Sequence, residues 1–327
     1  MIRSLGYLLR RLGFYALAAW VALTLNFLIP RLMPGDPASV MFARFEGELS
    51  PDAMDALRRT FGLTDDPLWR QYFDYLSAMS RGDFGISVAY FPAPVADVVA
   101  SGLLWTICLA GGALIISFGL GSLLGAVAAW RRGGWLDAIA PPALAFLGAF
   151  PYFWMAMLAA YLLGFELNWF PVRHAYDLDL TPGWNLAFAA SVVRHAALPA
   201  GTMVVASLGG WLLAMRNTMV AVLGDDFITY ARARGLPARR VLFHYAVRNA
   251  ILPNVTGFGM ALGFVLSGAL LTEIVFAYPG QGYLLIQSVR SQDYPLMQAL
   301  FLSITMAVLA ANWLVDVATV MLDPRTR

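Results

Sequence analysis

The sequence predicts an all-α polytopic membrane protein with six transmembrane helices and a lobe outside the membrane after the first span. Three observations lead there. Sixty per cent of the 327 residues are hydrophobic and 13% are charged, with a mean hydropathy of +0.66. Six charge-free runs, 12–30, 98–130, 138–165, 196–215, 249–272 and 294–315, match the roughly 20 residues a helix needs to cross the hydrocarbon layer. A soluble chain would need a very large core to hide a run such as 98–130. Finally, all 22 basic residues are arginine, and they collect at alternate connections. Arg3, Arg10 and Arg11 precede the first run, Arg131 and Arg132 follow the second, six lie from Arg216 to Arg248, and Arg325 and Arg327 end the sequence. The short opposite loops hold only Arg173, Arg194 and Arg290. The positive-inside rule then places both termini and the 216–248 connection in the cytoplasm.

Taken in order, residues 1–30 read as a cytoplasmic N-terminus and a retained signal-anchor span, since no small-x-small cleavage site follows the apolar stretch. Residues 31–94 read as an extracytoplasmic lobe. PDAMDALRRTFGL suggests a helix capped by Ser50 with Pro51 in its first turn, and WRQYFDYLSAM a second helix, with turns at PGDP (34–37) and RGDFG (81–85). The remaining five spans fall within 95–316, leaving 317–327 as a cytoplasmic tail. Gly121-x-x-x-Gly125 in the second span and Gly259-x-x-x-Gly263 in the fifth suit close helix approach. Pro141-Pro142 and Pro151 mark kinks in the third. Cys108 reads as a small buried apolar residue. Glu273 reads as a snorkelling carboxylate at a helix end or as a pathway residue. Pro279, Gly280 and Gly282 form a tight exit, and Asp293-Tyr294-Pro295 restarts the chain into the last span. There Asn312 and Asp316 either bond neighbouring helices or anchor the span at the headgroups.

The hydrophilic island 225–253, DDFITYARARGLPARRVLFHYAVRNAILP, carries the most information. It reads as a short helix with both ends marked. Asp225 and Asp226 can cap the free N–H groups, Arg232 and Arg234 fall in the last turn, Gly235 suits a left-handed position and Pro237 forbids continuation. Phe227, Tyr230 and Ala231 share one face. A second helix starts at Pro237, with Arg240, His244 and Arg248 forming an i, i+4 stripe. Such an element is either a docking knob for a soluble protein or an ordinary positively charged loop.

The string YARARGLPARRVLFHYAVRNAILP resembles the signature loop of binding-protein-dependent ABC importer permeases of the oligopeptide, dipeptide and nickel branch. The general loop opens with Glu-Ala-Ala six residues before its glycine. Thr229, Tyr230 and Ala231 occupy those places, while Gly235 and Leu252-Pro253 fit. GLTDDPLWRQYFDYL, GDFGISV, EIVFAYPGQGYLLIQSVRSQDYPLMQA and the terminal DPRTR extend the resemblance over nearly the whole chain. It implies the type I ABC importer transmembrane fold for 95–316, with 221–248 as a coupling loop in which Asp226, Phe227, Thr229, Tyr230, Ala231, Arg232, Ala233, Arg234 and Gly235 meet an ATPase. It also implies a second homologous permease, two cytoplasmic ATPase subunits that bind the ATP and magnesium, a periplasmic substrate-binding protein, and peptides or related small solutes as cargo.

Composition argues against chemistry in this chain itself. Without lysine there is no phosphate-cradling Gly-x-x-x-x-Gly-Lys loop and no Schiff base. His174, His195 and His244 sit in different loops, no His-Glu-x-x-His occurs, and one cysteine forms no internal disulfide. An ion-driven secondary transporter commonly places ionisable residues at span centres or shows inverted repeats; the span centres here lack charge and no repeat is visible. A scaffold without transport has no need of the capped knob.

Overall fold

The computed structural model describes residues 2–32 and 66–322. Along the chain the helices are α1 (Ile2–Leu32), α2 (Leu68–Ser80), α3 (Val95–Trp130), α4 (Trp135–Gly148), α5 (Tyr152–Glu166), α6 (Leu186–Leu223), α7 (Asp226–Ala233), α8 (238–250), α9 (Leu252–Gly268), α10 (Leu270–Val275), α11 (Gln281–Arg290) and α12 (Tyr294–Leu322). Among the described residues there is no strand, only an isolated antiparallel bridge between Ile86 and Pro94. Short π-helical segments interrupt α3 at Ile107–Gly111, α5 at Ala160–Glu166 and α8 at Val241–Val247.

Among the described residues, α1, α3, α6 and α12 are long and apolar enough to cross a membrane, and α4 with α5 makes a fifth if the bent pair is one span. That pair turns by 94°. The turn falls not at Pro141-Pro142, which α4 runs through, but at Pro151, whose missing N–H opens α5. The expected run 249–272 is divided into α9, 17 residues long, and α10. Of the 31–94 segment, α2 forms where the aromatic periodicity puts it, and Gly82 and Gly85 take φ of +73° and +77° in the following turn. The expected helix in 51–63 and the PGDP turn lie outside the described residues. The last span, expected to end at 315, continues as helix to Leu322.

The described residues divide into two compact units, Met1–Thr106 with Pro279–Arg327, and Ile107–Tyr278. In the first, α1 and α12 run antiparallel. Tyr15 donates to Asp316 Oδ2 at 2.6 Å, and Arg11 lies 3.4 Å from the same oxygen, so Asp316 joins two helices. Further along, Asn26 Nδ2 donates to the Gln298 carbonyl at 2.7 Å and Gln298 Nε2 returns a bond to the Asn26 carbonyl at 3.0 Å. The Phe27 ring sits 5.2 and 5.5 Å from the Tyr72 and Tyr75 rings, which fasten α2 to the end of α1. Asp293 caps α12 through the Leu296 N–H at 3.1 Å. Its other oxygen accepts from the Ser87 hydroxyl and, at 2.9 Å, from the Ala89 N–H, so the Gly-Asp-Phe-Gly-Ile-Ser-Val loop is clamped to the start of the last helix.

In the second unit α6 is the central strut. Its parallel neighbour α3 comes so close at Gly121 that a Cβ there would stand 2.6 Å from Trp211 Cβ, and a Cβ on Gly125 would clash with the Leu212 carbonyl. On α6 itself, a Cβ on Gly209 would meet the Leu144 carbonyl of α4 at 2.8 Å. Backbone proximity of this kind supplies dispersion contact where lipid gives no apolar drive. Buried Asn254 of α9 bonds Ser122 of α3 at 3.0 Å and the Trp211 carbonyl of α6 at 3.1 Å, which ties three helices at one point.

Three expectations need correction. His195 is not in a loop but in α6, buried, with Nε2 3.7 Å from Asp177; Ser191, one turn earlier, donates to Asp177 at 2.7 Å. The hydroxyl proton is directed to the carboxylate and the imidazole Nδ1 faces the Ser191 carbonyl at 2.9 Å, so the set pins the preceding loop to α6 and does not activate a nucleophile. Cys108 is exposed, because the outer surface of a membrane chain is as apolar as its interior. Glu273, read either as a snorkelling carboxylate or as a pathway residue, is fully buried, which removes the first of the two.

Gly209→Leu is expected to destabilise the protein by about 1–3 kcal/mol through overpacking against Leu144. Gly210→Leu, at an exposed position with nothing within 4 Å of the added Cβ, is expected to leave the melting temperature unchanged or raised. Thermal melting of the purified protein in detergent distinguishes the two.

Candidate functional site

The site grows from the end of α6. Gly224 closes that helix, and Asp225, extended at φ −74° and ψ 148°, opens α7. The expected carboxylate cap is absent: the Asp225 side chain makes no capping bond, and its main-chain carbonyl accepts instead from the Ile228 and Thr229 N–H groups at 3.1 and 3.4 Å. The two exposed carboxylates then act only as charges at the positive end of the helix dipole. The far end follows the expectation closely. Gly235 sits at φ +72°, its N–H donates to the Arg232 carbonyl at 2.9 Å, and the Leu236 N–H reaches the Ala231 carbonyl at 3.4 Å. These two bonds are the Schellman arrangement, and Leu236 adds its usual apolar contact near Ala231. Pro237, extended, then opens α8.

Two opposite faces result. Ile228 and Ala231, one turn apart, are buried among Ala126 and Ala129 of α3, Met215 and Met219 of α6, and Val241, Ala246 and Ala250 of α8. Phe227 and Tyr230 remain 39% and 67% exposed, and Asp226, Thr229, Arg232, Ala233, Arg234 and Gly235 are exposed as well. Ala231 therefore belongs to the inward face, not to the outward face with Phe227 and Tyr230. The sequence reading also missed Ile228; its signal is an apolar residue three positions before Ala231, repeating the helical period. The Arg234 guanidinium lies 5.9 Å from the Tyr230 ring centroid, and that of Arg232 lies 5.4 Å from the ring of Trp130 at the end of α3. Arg240, His244 and Arg248 are all exposed, on a helix that is π-helical from Val241 to Val247.

Beneath this surface lies a pair that sequence reading did not connect. Asp137, in the first turn of α4, accepts from Arg216 Nε of α6 and, at 2.9 Å, from the Gly133 N–H. Its side chain is only 8% exposed. The same unit holds a cleft of about 400 Å³ between α3, α5, α6 and α9, lined by Ala110, Ala113, Met203, Ala261 and, as polar members, Tyr152 and Ser207. No three His, Cys, Asp or Glu side chains converge among the described residues in a way that could hold a metal ion.

Among the described residues the chain is helical and largely apolar, and the short helix α7 presents aromatic and arginine side chains outward. The family described as binding-protein-dependent transport system inner membrane component matches residues 121–327. The chain is 33% identical to the dipeptide transport system permease protein of Lactococcus lactis subsp. cremoris over 98% of its own length and 99% of the relative's. It is 33% identical to the dipeptide transport system permease protein of Escherichia coli K12, with 99% of each chain covered. It is 31% identical to the glutathione transport system permease protein of an avian pathogenic Escherichia coli O1:K1, again over 99% of each. The chain belongs to this family of multi-pass inner-membrane transport components. Within the family it falls in the oligopeptide and dipeptide permease branch and is a permease subunit of an ABC importer, a transport subunit and not a catalytic one.

The two faces of α7 make opposite demands. Ile228→Ala is expected to cost about 2–5 kcal/mol of stability by opening a cavity in the cluster. Tyr230→Ala is expected to change stability by no more than about 0.5 kcal/mol, as an exposed substitution does. Melting curves of the two purified variants check both; a fall for Tyr230→Ala equal to that for Ile228→Ala contradicts the assignment of faces.

Proposed function

We propose that this chain forms, with a second homologous permease, the translocation pathway for peptides or related small solutes handed over by a periplasmic binding protein, and that α7 couples it to two cytoplasmic ATPase subunits. The observation that carries the reading is the two-faced knob. Ile228 and Ala231 anchor it to the ends of α3 and α6, while Phe227 and Tyr230 are left outside the cluster among arginines. An exposed apolar patch with a basic surround marks a contact surface. A groove in an ATPase that accepts a short helix would take the two aromatic side chains as anchors, with Thr229, Arg232, Ala233 and Arg234 around them. ATP and magnesium are bound by those partners, where hydrolysis occurs, and this chain needs no cofactor of its own.

Six spans complete the picture: α1, α3, the bent pair α4–α5, α6, the divided pair α9–α10, and α12. Both termini and the arginine-rich connections face the cytoplasm, and 31–94 forms the periplasmic lobe near the mouth of the pathway. The cleft beside Tyr152 and Ser207 supports a place for the pathway wall, its apolar lining suited to a cargo that carries no fixed pattern of charge. The names of the dipeptide and glutathione relatives support small peptides as the cargo class.

In the assembled complex, Tyr230→Asp is expected to weaken ATPase association by on the order of 2 kcal/mol or more, measured as affinity per folded permease; intact affinity would sink the docking role. Gly235→Val, which forces a β-branched residue to positive φ at about 1–3 kcal/mol, is expected to leave the permease folded and to abolish substrate-stimulated ATP hydrolysis. For orientation, in a Cys108→Ser background, cysteine at the exposed position Arg81 should react with an impermeant thiol reagent on intact cells and cysteine at Ala238 should not. Labelling at Ala238 inverts the topology.

A further inference from the structure

We propose that the Asp137–Arg216 pair is the pivot that makes α4 and the bent α4–α5 pair move with the knob; this rests on the coupling role given above to α7. Two kinds of contact join α4 to α6. Along most of their length the two helices touch through small residues. Gly209 faces the Leu144 backbone, and a Cβ on Gly148 would lie 3.5 Å from the Ala206 carbonyl. Contacts of this kind are smooth. They hold helices at a short distance through dispersion and carry no directed bond. At one end the contact changes in kind. Asp137, nearly buried, receives Arg216 Nε on one oxygen and the Gly133 N–H on the other, a charge-assisted bond with a defined direction.

The surroundings of that pair close a ring around the base of the knob. Arg216 lies two turns before the end of α6, and α7 follows after only Gly224 and Asp225. From α7, Arg232 reaches back over Trp130, the last residue of α3. The turn after Trp130 carries Gly133, at φ +80°, whose N–H is the second donor to Asp137. The path thus runs from α7 through α6 to Arg216, across to Asp137, through Gly133 to Trp130, and back to α7 at Arg232. Gly125 of α3, where an added Cβ would clash with the Leu212 carbonyl and stand 3.1 Å from the Arg216 nitrogen, packs closely on the same stretch of α6. Displacement of α7 is therefore delivered to the Asp137 end of α4, the end that carries the directed bond, while further along, at Leu144 and Gly148, the approach to α6 is made by glycine against backbone. Such a helix is driven from its charged end. In this proposal Asp137 and Arg216 act as positioning residues.

The test uses the permease in its complete complex, with second permease, ATPases and binding protein, reconstituted in vesicles. Asp137→Asn, Arg216→Gln and the double variant are compared with the unsubstituted chain for melting temperature, ATP hydrolysis, and cargo imported per ATP hydrolysed. Each single variant is expected to keep hydrolysing ATP while import per ATP falls about fivefold or more, the range of an allosteric coupling. The double variant is expected to fall no further than the singles, since the two groups act as one unit. Two results overturn the proposal: import per ATP unchanged in the singles while melting temperature or the yield of assembled complex drops, which is a purely structural role, or losses that multiply in the double variant. Failure of the wider transport reading is visible separately, as absence of ATP-driven import by the unsubstituted complex.

Discussion

In a lipid environment apolar side chains gain little by facing another helix, so close backbone approach has to do the work that hydrophobic burial does in water. In the unit formed by 107–278 this constraint is met on α6. Gly121 and Gly125 of α3 bring one backbone onto it, and Gly209 admits the backbone of α4. Asn254 adds a hydrogen bond from α9 to the Trp211 carbonyl at the same level. Held on these sides, α6 can carry at its end a helix of eight residues that would not be stable by itself. The knob depends on the strut, and the strut depends on glycine.

Much of this was legible in the sequence because hydropathy is a one-dimensional signal. The charge-free runs marked α3, α6 and α12, and the aromatic period marked α2. What was not legible concerns neighbours. Whether a proline breaks a helix depends on what satisfies the freed carbonyls, so Pro141-Pro142 and Pro151 looked alike although the 94° turn belongs to Pro151. The division at Ala269 and the π-helical segments have no compositional marker in these runs. Inward and outward positions are also not separated by hydropathy when lipid and core are both apolar. That is why Cys108 was expected inside and lies exposed, and why the sequence left Glu273 open between a surface and a pathway position although it lies buried.

At the candidate site the ends of α7 were easier to read than its faces. Gly235 and Pro237 act through backbone geometry, which residue type reports directly. The assignment of Ala231 failed because on a helix of about two turns one residue can be grouped with either side; its burial together with Ile228 resolves it. The nine residues expected to form the coupling surface thus divide, with Ala231 holding the helix in place and Phe227 and Tyr230 presented outward. The Asp137–Arg216 pair was invisible for another reason. Its members are 79 residues apart, each a lone charge at the edge of an apolar run, and only the antiparallel register of α4 and α6 brings them together.

The account's central claim is that one side of α7 belongs to this permease and the other to an ATPase. The most direct measurement places a photo-reactive phenylalanine analogue at Tyr230, and separately at Ile228, in the assembled complex, and identifies what each captures on illumination. The account predicts adducts with the ATPase subunit from position 230, and from position 228 only links within the permease. ATPase adducts from position 228, or none from position 230 in a complex that contains its ATPases, would contradict it.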